Sequence, residues 1–280
     1  MDIIYNIMDT LLPFAWLGSA FMKNAFLAVL LVTPLFGLMS TMVVSNRMAF
    51  FSDSLGHGAF TGIAIGVLLG SVSPLLSLVI FSVAFALFIT YIKNKSTAST
   101  DTIIGVFSAT AIALGLMLMS HGGSFNKFSS FLIGDILSIT PEDIAALAIV
   151  FVLGLIAWGL IFNQLLVLSI NSSFARSRGI KTFWVESAFA SMLAVVVSIS
   201  IQWVGILIIN AMLVLPAAGA RNIAVNVKQY HVFSVLIAMF SGILGLMLAY
   251  YFDMAAGATI VVISSIIFFI TLFLKPYFCR

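Results

Sequence analysis

Nine apolar runs, at roughly 25–45, 50–70, 74–92, 102–120, 143–163, 184–201, 204–220, 231–250 and 256–274, are separated by short polar joints such as KNKSTASTD at 93–101. Apolar stretches this long suit α-helices crossing a hydrocarbon core of roughly 30 Å, whereas the strands of a membrane barrel would be near ten residues and would alternate. The pattern predicts an all-α, polytopic membrane helical bundle of eight or nine transmembrane helices, with room for one run to be a half-helix. Residues 1–22 mix apolar and polar positions around Pro13 and form a candidate interfacial segment. No fixed-period repeat, low-complexity stretch or long linker divides the chain, so one compact domain over 1–280 is expected.

Composition strengthens the membrane assignment. Hydrophobic residues make up 62% of the chain and charged residues 8%, with a mean hydropathy of +1.24. A soluble domain would have to expose a large apolar surface to carry these values. The net charge is +3, but the placement of the basic residues says more than their sum. Arg47, Lys93 and Lys95, Arg176, Arg178 and Lys181, Arg221 and Lys228, and Lys275 and Arg280 fall at alternate joints when nine crossings are counted. The positive-inside rule then puts those joints in the cytoplasm, the N-terminus outside and the C-terminus inside. The joint 121–142, with Asp135 and Glu142 and bordered by Asp143, becomes external; Lys23 and Lys127 are exceptions, and an eight-span count breaks the pattern. Cys279 is the single cysteine, so no intrachain disulfide exists. The opening MDIIYNIMDT carries Asp2 and Asp9 in place of a basic region, and no cleaved signal peptide is expected.

Against this background Asp53 and His57, in SDSLGHGAF, stand out. Ionisable groups at membrane depth cost roughly 2.5–3.5 kcal/mol each even on the lenient insertion scale, and they mark transport paths or partner charges. With Arg47 at the cytoplasmic edge, a rise of 1.5 Å per residue puts Asp53 about 9 Å and His57 about 15 Å along the helix. A spacing of four places both on one face, with Cβ atoms roughly 5–6 Å apart. A carboxylate oxygen and an imidazole nitrogen so arranged can grip one divalent ion, zinc or manganese. The plain alternative is an Asp–His hydrogen bond tying one helix to another. Two ligands do not close a zinc site, and the rest of the shell would come from water, another helix or a second subunit.

Gly58, Gly62, Gly66 and Gly70 follow at intervals of four and remove side chains from one stripe. Either they form a tight helix contact that aims Asp53 and His57 at a central path, or they are ordinary close packing. His121 reads as a loop histidine, His231 as interfacial, Asp253 as an external turn residue, and Glu186 as a carboxylate favouring a helix start. Pro34 and Pro216 interrupt apolar helices, Pro34 as a plain kink. No G-x-x-x-x-G-K-[ST], H-E-x-x-H or G-x-S-x-G run occurs, which leaves no P-loop and no usual hydrolase signal. Energy for transport has to come from outside this chain.

Several ordered segments together resemble the integral permease subunits of bacterial zinc/manganese ABC importers. They are NRMAFFSDSLGHGAFTGIAIG (46–66), STDTIIGVFSATAIALGL (99–116), FLIGDILSITPEDI (131–144), VGILIINAMLVLPAAGARNIA (204–224) and YFDMAAGATIVV (251–262). The resemblance implies the metal-ion ABC importer permease fold with eight or so helices. It also implies a homodimer of permeases around the pathway, a separate ABC ATPase subunit, and an external metal-binding solute receptor. The setting it implies is the bacterial cytoplasmic (inner) membrane, with lipid around the chain and no nucleic acid partner. The family's D-x-x-x-H metal path falls on Asp53 and His57. The transported divalent metal is the only ion expected, with no permanently bound cofactor and no enzymatic activity of the chain itself. For ATPase docking the resemblance offers 216–228, with Pro216, Arg221, Asn222 and Lys228, and 171–183. The first is preferred, because Pro216 is expected to end the span and to be followed by a short helix along the membrane surface; the second departs from the family pattern, with Asn171, Ser172 and Ser173 in place of acidic residues often found there. Ser52 replaces the glycine usual before the aspartate. RMAFFSD and GDILSITPEDI look closer to zinc-type members, so Zn²⁺ is favoured over Mn²⁺. The rival readings are a manganese or iron importer permease, a proton-coupled secondary transporter using Asp53 and His57 as a relay, and a membrane enzyme.

Overall fold

The computed structural model describes residues 2–12, 14–69, 74–122, 134 and 136–278, and among them no strand occurs. The helices are α1 (Asp2–Leu11), α2 (Ala20–Ser45), α3 (Ala49–Leu69), α4 (Pro74–Lys95), α5 (Thr100–Gly122) and α6 (Pro141–Ile170). They continue as α7 (Ser172–Ser177), α8 (Thr182–Val204), α9 (Ile206–Met212), α10 (Leu215–Ile223), α11 (Val227–Phe252) and α12 (Ala256–Phe278). Among the described residues seven helices, α2, α4, α5, α6, α8, α11 and α12, are long and apolar enough to cross a membrane. Helix α3 has 21 residues but carries both Asp53 and His57, which lower its apolar character. Gly70, Lys127 and Asp135 lie outside the described residues, as does the side chain of His121.

Element ends follow local chemistry. Helix α2 closes in a Schellman motif: Arg47 takes a left-handed conformation (φ 56°), Met48 N–H donates to Val43 O at 2.8 Å, and Arg47 N–H donates to Val44 O at 3.2 Å. Helix α6 opens on a capping box, in which the Asp143 carboxylate accepts from Thr140 N at 2.9 Å and Thr140 Oγ1 is 3.3 Å from Asp143 N. Pro34 sits inside a continuous α2.

The run 204–220, predicted as one crossing, is broken instead into α9 and α10. Gly205 holds φ 82°, a conformation cheap only for glycine, and Leu213–Val214 turn the chain again. Pro216 follows this second break and does not cause it. It lies in the first turn of α10, where a missing N–H costs nothing.

The chain divides into two compact units, Met1–Thr41 with Gly134–Leu153 and Ala211–Arg280, and Met42–Ile133 with Gly154–Asn210. In the first, α10, α11 and α12 pack on one another. Close backbone approach at Gly37 seats α2 on Val235 of α11, and Gly245 seats α11 on Ile260 of α12. Ser234 Oγ donates to Gly37 O at 2.6 Å and lies 2.9 Å from Ser40 Oγ, the kind of polar contact that joins helices where lipid supplies no hydrophobic drive. Lys23, an exception to the charge pattern, is bound to Asp9 at 2.6 Å. In the second unit α3 packs against α4 and α5, and α8 against α4. Glu186, expected to favour a helix start, lies beyond the first turn of α8; it bridges α8 to α4 through Lys93 Nζ at 3.3 Å and Asn94 Nδ2 at 3.0 Å.

Candidate metal path

Helix α3 starts immediately after the Schellman turn, so its rotation about the axis is set by Arg47 and Met48. At 1.5 Å per residue Asp53 lies roughly 6 Å and His57 roughly 12 Å from the helix start. Their side chains meet on one face: His57 Nε2 is 3.5 Å from Asp53 Oδ1. His57 is 29% and Asp53 44% exposed along the side chain, so the pair is not sealed in the helix packing.

One residue of the site was missed by sequence reasoning. Asn210 on α9 donates from Nδ2 to Asp53 Oδ1 at 2.5 Å. Its amide oxygen is buried, with no hydrogen-bond partner among the described residues. The signal was available, since Asn210 is the only polar residue in the apolar run ILIINAML, and a lone amide at membrane depth demands a partner as a carboxylate does. A glycine sets the approach of α9. A Cβ on Gly56 would lie 2.7 Å from Ile206 Cγ2, so the bare backbone between Asp53 and His57 lets the start of α9 press on α3.

The glycine stripe faces α4. A Cβ on Gly58 would meet the Phe85 ring at 2.9 Å, one on Gly62 Phe81 Cβ at 2.9 Å and Leu78 Cα at 3.1 Å, and one on Gly66 the Ser77 side chain at 2.5 Å. On an adjacent face, the Thr61 hydroxyl donates to Ala111 O of α5. Helix α3 is therefore held from two directions next to the pair. Among the described residues no group of three or more histidine, cysteine, aspartate or glutamate side chains gathers, so Asp53, His57 and Asn210 are the donors that come together.

Of the residues expected to dock a partner, Arg221 and Lys228 are exposed. Pro216 is buried, and Asn222, 7% exposed, reaches Thr271 Oγ1 of α12 at 3.3 Å. The buried two hold α10 in its unit, and the basic two face outward. His231 is partly exposed and donates from Nδ1 to Val227 O at 2.8 Å. Asp253 caps α11 in a left-handed turn (φ 50°).

The family model described as "ABC 3 transport family" matches residues 19–275. The chain is 30% identical over 249 residues to the high-affinity zinc uptake system membrane protein ZnuB of Buchnera aphidicola subsp. Baizongia pistaciae, covering 88% of this chain and 94% of that protein. It is 29% identical over 256 residues to the manganese import system permease protein ScaB of Streptococcus gordonii, covering 91% and 92%. Among solved structures, PsaBC from Streptococcus pneumoniae in complex with Fab matches with a TM-score of 0.80 at 28% sequence identity, over 99% of this chain and 97% of that one.

Proposed function

The chain belongs to the ABC 3 transport family, and from that premise we propose that it is the permease of an ATP-driven importer carrying a divalent transition-metal ion, Zn²⁺ favoured, into the bacterial cytoplasm. The observation that carries this is the meeting of Asp53 and His57 on one face of α3, 3.5 Å apart and partly exposed. Two donors of suitable chemistry, an oxygen and a nitrogen, stand where an apolar helix would otherwise bear none. Relatives named for zinc and for manganese uptake support a cargo of this class. The preference for zinc rests on the zinc-type look of RMAFFSD and GDILSITPEDI.

In this reading an external binding protein delivers the ion, and a separate ATPase drives the cycle. A second copy of the permease completes the pathway, and alternating access exposes Asp53 and His57 first outward and then inward. The ion is cargo and no resident cofactor is involved. Arg221 and Lys228, both exposed, are the points at which the segment 216–228 meets the ATPase, with Pro216 and Asn222 holding the helix that presents them.

The test is uptake of radioactive Zn²⁺ and Mn²⁺ by cells carrying His57→Ala. Loss of uptake, with normal levels of the protein in the membrane and normal association with the ATPase, is expected. Uptake at the wild-type rate would remove His57 from the mechanism. Faster saturable uptake of Mn²⁺ than of Zn²⁺ by the wild type would reverse the preferred cargo.

A further inference from the structure

We infer that Asn210 is a third ligand for the transported cation, a side chain that holds Asp53 through its amide nitrogen and turns its amide oxygen to the cation when one lies between them. This rests on the reading of Asp53 and His57 as cargo ligands. The amide of Asn210 stands in an otherwise apolar helix of seven residues, between the left-handed Gly205 and the turn at Leu213–Val214. A primary amide has two donor hydrogens and an acceptor oxygen to satisfy. Here one donor is used, on Asp53 Oδ1 at 2.5 Å, and the oxygen is buried without a partner among the described residues.

The same Asp53 Oδ1 lies 3.5 Å from His57 Nε2, so two nitrogens, one from each helix, converge on one carboxylate oxygen. The nitrogen and oxygen of an amide are nearly equal in shape, and a half-turn about the last side-chain bond exchanges them. That rotation would put the oxygen where the nitrogen now faces Asp53, creating a set of carboxylate oxygen, amide oxygen and imidazole nitrogen. Short irregular helices in membranes are tolerated where they line a cavity, and discontinuous helices of this kind form substrate sites in transporters. The contact of Ile206 with Gly56 keeps the start of α9 against α3 beside the pair. Oxygen donors weigh more for Mn²⁺, and imidazole weighs more for Zn²⁺. Asn210 therefore contributes to cargo choice as well as to affinity.

The alternative is a tie that fastens α9 to α3 through the Asn210 donor hydrogen alone. Asn210→Asp and Asn210→Ala separate the two, because the carboxylate keeps an acceptor oxygen and loses the donor, while alanine loses both. Uptake of radioactive Mn²⁺ and Zn²⁺ is measured across metal concentration in cells carrying each variant in the intact transporter, with protein levels in the membrane checked. The expected result is that Asn210→Ala raises the half-saturating concentration at least tenfold for Mn²⁺ and by a smaller factor for Zn²⁺, whereas Asn210→Asp transports with an affinity at least equal to the wild type. Wild-type metal dependence in Asn210→Ala, or Asn210→Asp as impaired as Asn210→Ala, would overturn the inference. Should Asn210→Ala fail to reach the membrane, Asn210→Asp decides: retained affinity supports the ligand role, and loss at a normal membrane level rejects it. His57→Ala run alongside keeps the two readings apart. If His57→Ala transports normally, the reading of the site itself fails; if it does not transport and Asn210→Ala does, only the role of Asn210 fails.

Discussion

Gly62→Ala tests how tightly α3 is seated on α4. A methyl at this position would lie 2.9 Å from Phe81 Cβ and 3.1 Å from Leu78 Cα, the latter a backbone atom that cannot swing aside. Carbon atoms in ordinary contact stand about 3.5–4.0 Å apart, so α3 and α4 would have to part by roughly 0.5–1 Å at this point. Overpacking of this kind costs about 1–3 kcal/mol. Gly105→Ala on α5 is the control: nothing lies within 4 Å of its Cβ position, and replacing an unneeded helical glycine is worth about 0.5–1 kcal/mol in the favourable direction. Gly62→Ala, also inside a helix, gains the same preference, so the two alanines should differ by the overpacking alone, roughly 1–3 kcal/mol. Denaturant or thermal unfolding of the purified protein in one detergent, compared across wild type and both variants, reads this difference. Gly62 is five residues beyond His57, roughly 7.5 Å of helix, so metal uptake should fall in Gly62→Ala and hold in Gly105→Ala. Coincident unfolding midpoints for the two variants would refute the reasoning, because the close approach of the helices would then carry no energetic weight.

Ser234→Ala removes both the hydrogen bond to Gly37 O and the contact with Ser40, and should cost about 0.6–1.7 kcal/mol, read as a lowered unfolding midpoint. Glu186→Leu should destabilise more than Lys93→Met, because after the lysine change Asn94 still holds the carboxylate at 3.0 Å, whereas the leucine removes both links from α8 to α4 and leaves Lys93 without its carboxylate; the same unfolding assay ranks them. Arg221→Glu should weaken recovery of the ATPase in a pull-down from detergent extracts while leaving Asn222→Ala, which acts on Thr271 inside the unit, to show its effect in stability instead. Equal pull-down by wild type and Arg221→Glu would count against the segment 216–228 as the docking surface.

Most crossings were legible because a helix in lipid satisfies its own backbone hydrogen bonds, so hydrophobic length alone reports it. The run 204–220 was the exception. A local break costs nothing in composition, and the left-handed conformation of Gly205 leaves no mark that distinguishes it from a glycine placed for packing. The same holds for Pro216, which reads as a helix breaker by residue type but sits at a helix start. The pair on α3 could be read in advance because its two members lie four residues apart on one helix, and helical geometry brings such neighbours together without any tertiary information. Asn210 is 157 residues from Asp53, and no local rule connects them.

What the amino-acid order settled by itself was the class of protein, the approximate place of its spans and the meeting of Asp53 with His57, since each depends on interactions within a few turns of a helix. Which helices touch belongs to the tertiary structure: the seam of Gly58, Gly62 and Gly66 with α4, the bridge from Glu186 to Lys93, and the meeting of Asn210 with Asp53. In lipid no hydrophobic gradient ranks one helix face above another. The choice of neighbours falls instead to shape and a few polar contacts between distant positions, and these exist only once the chain has folded.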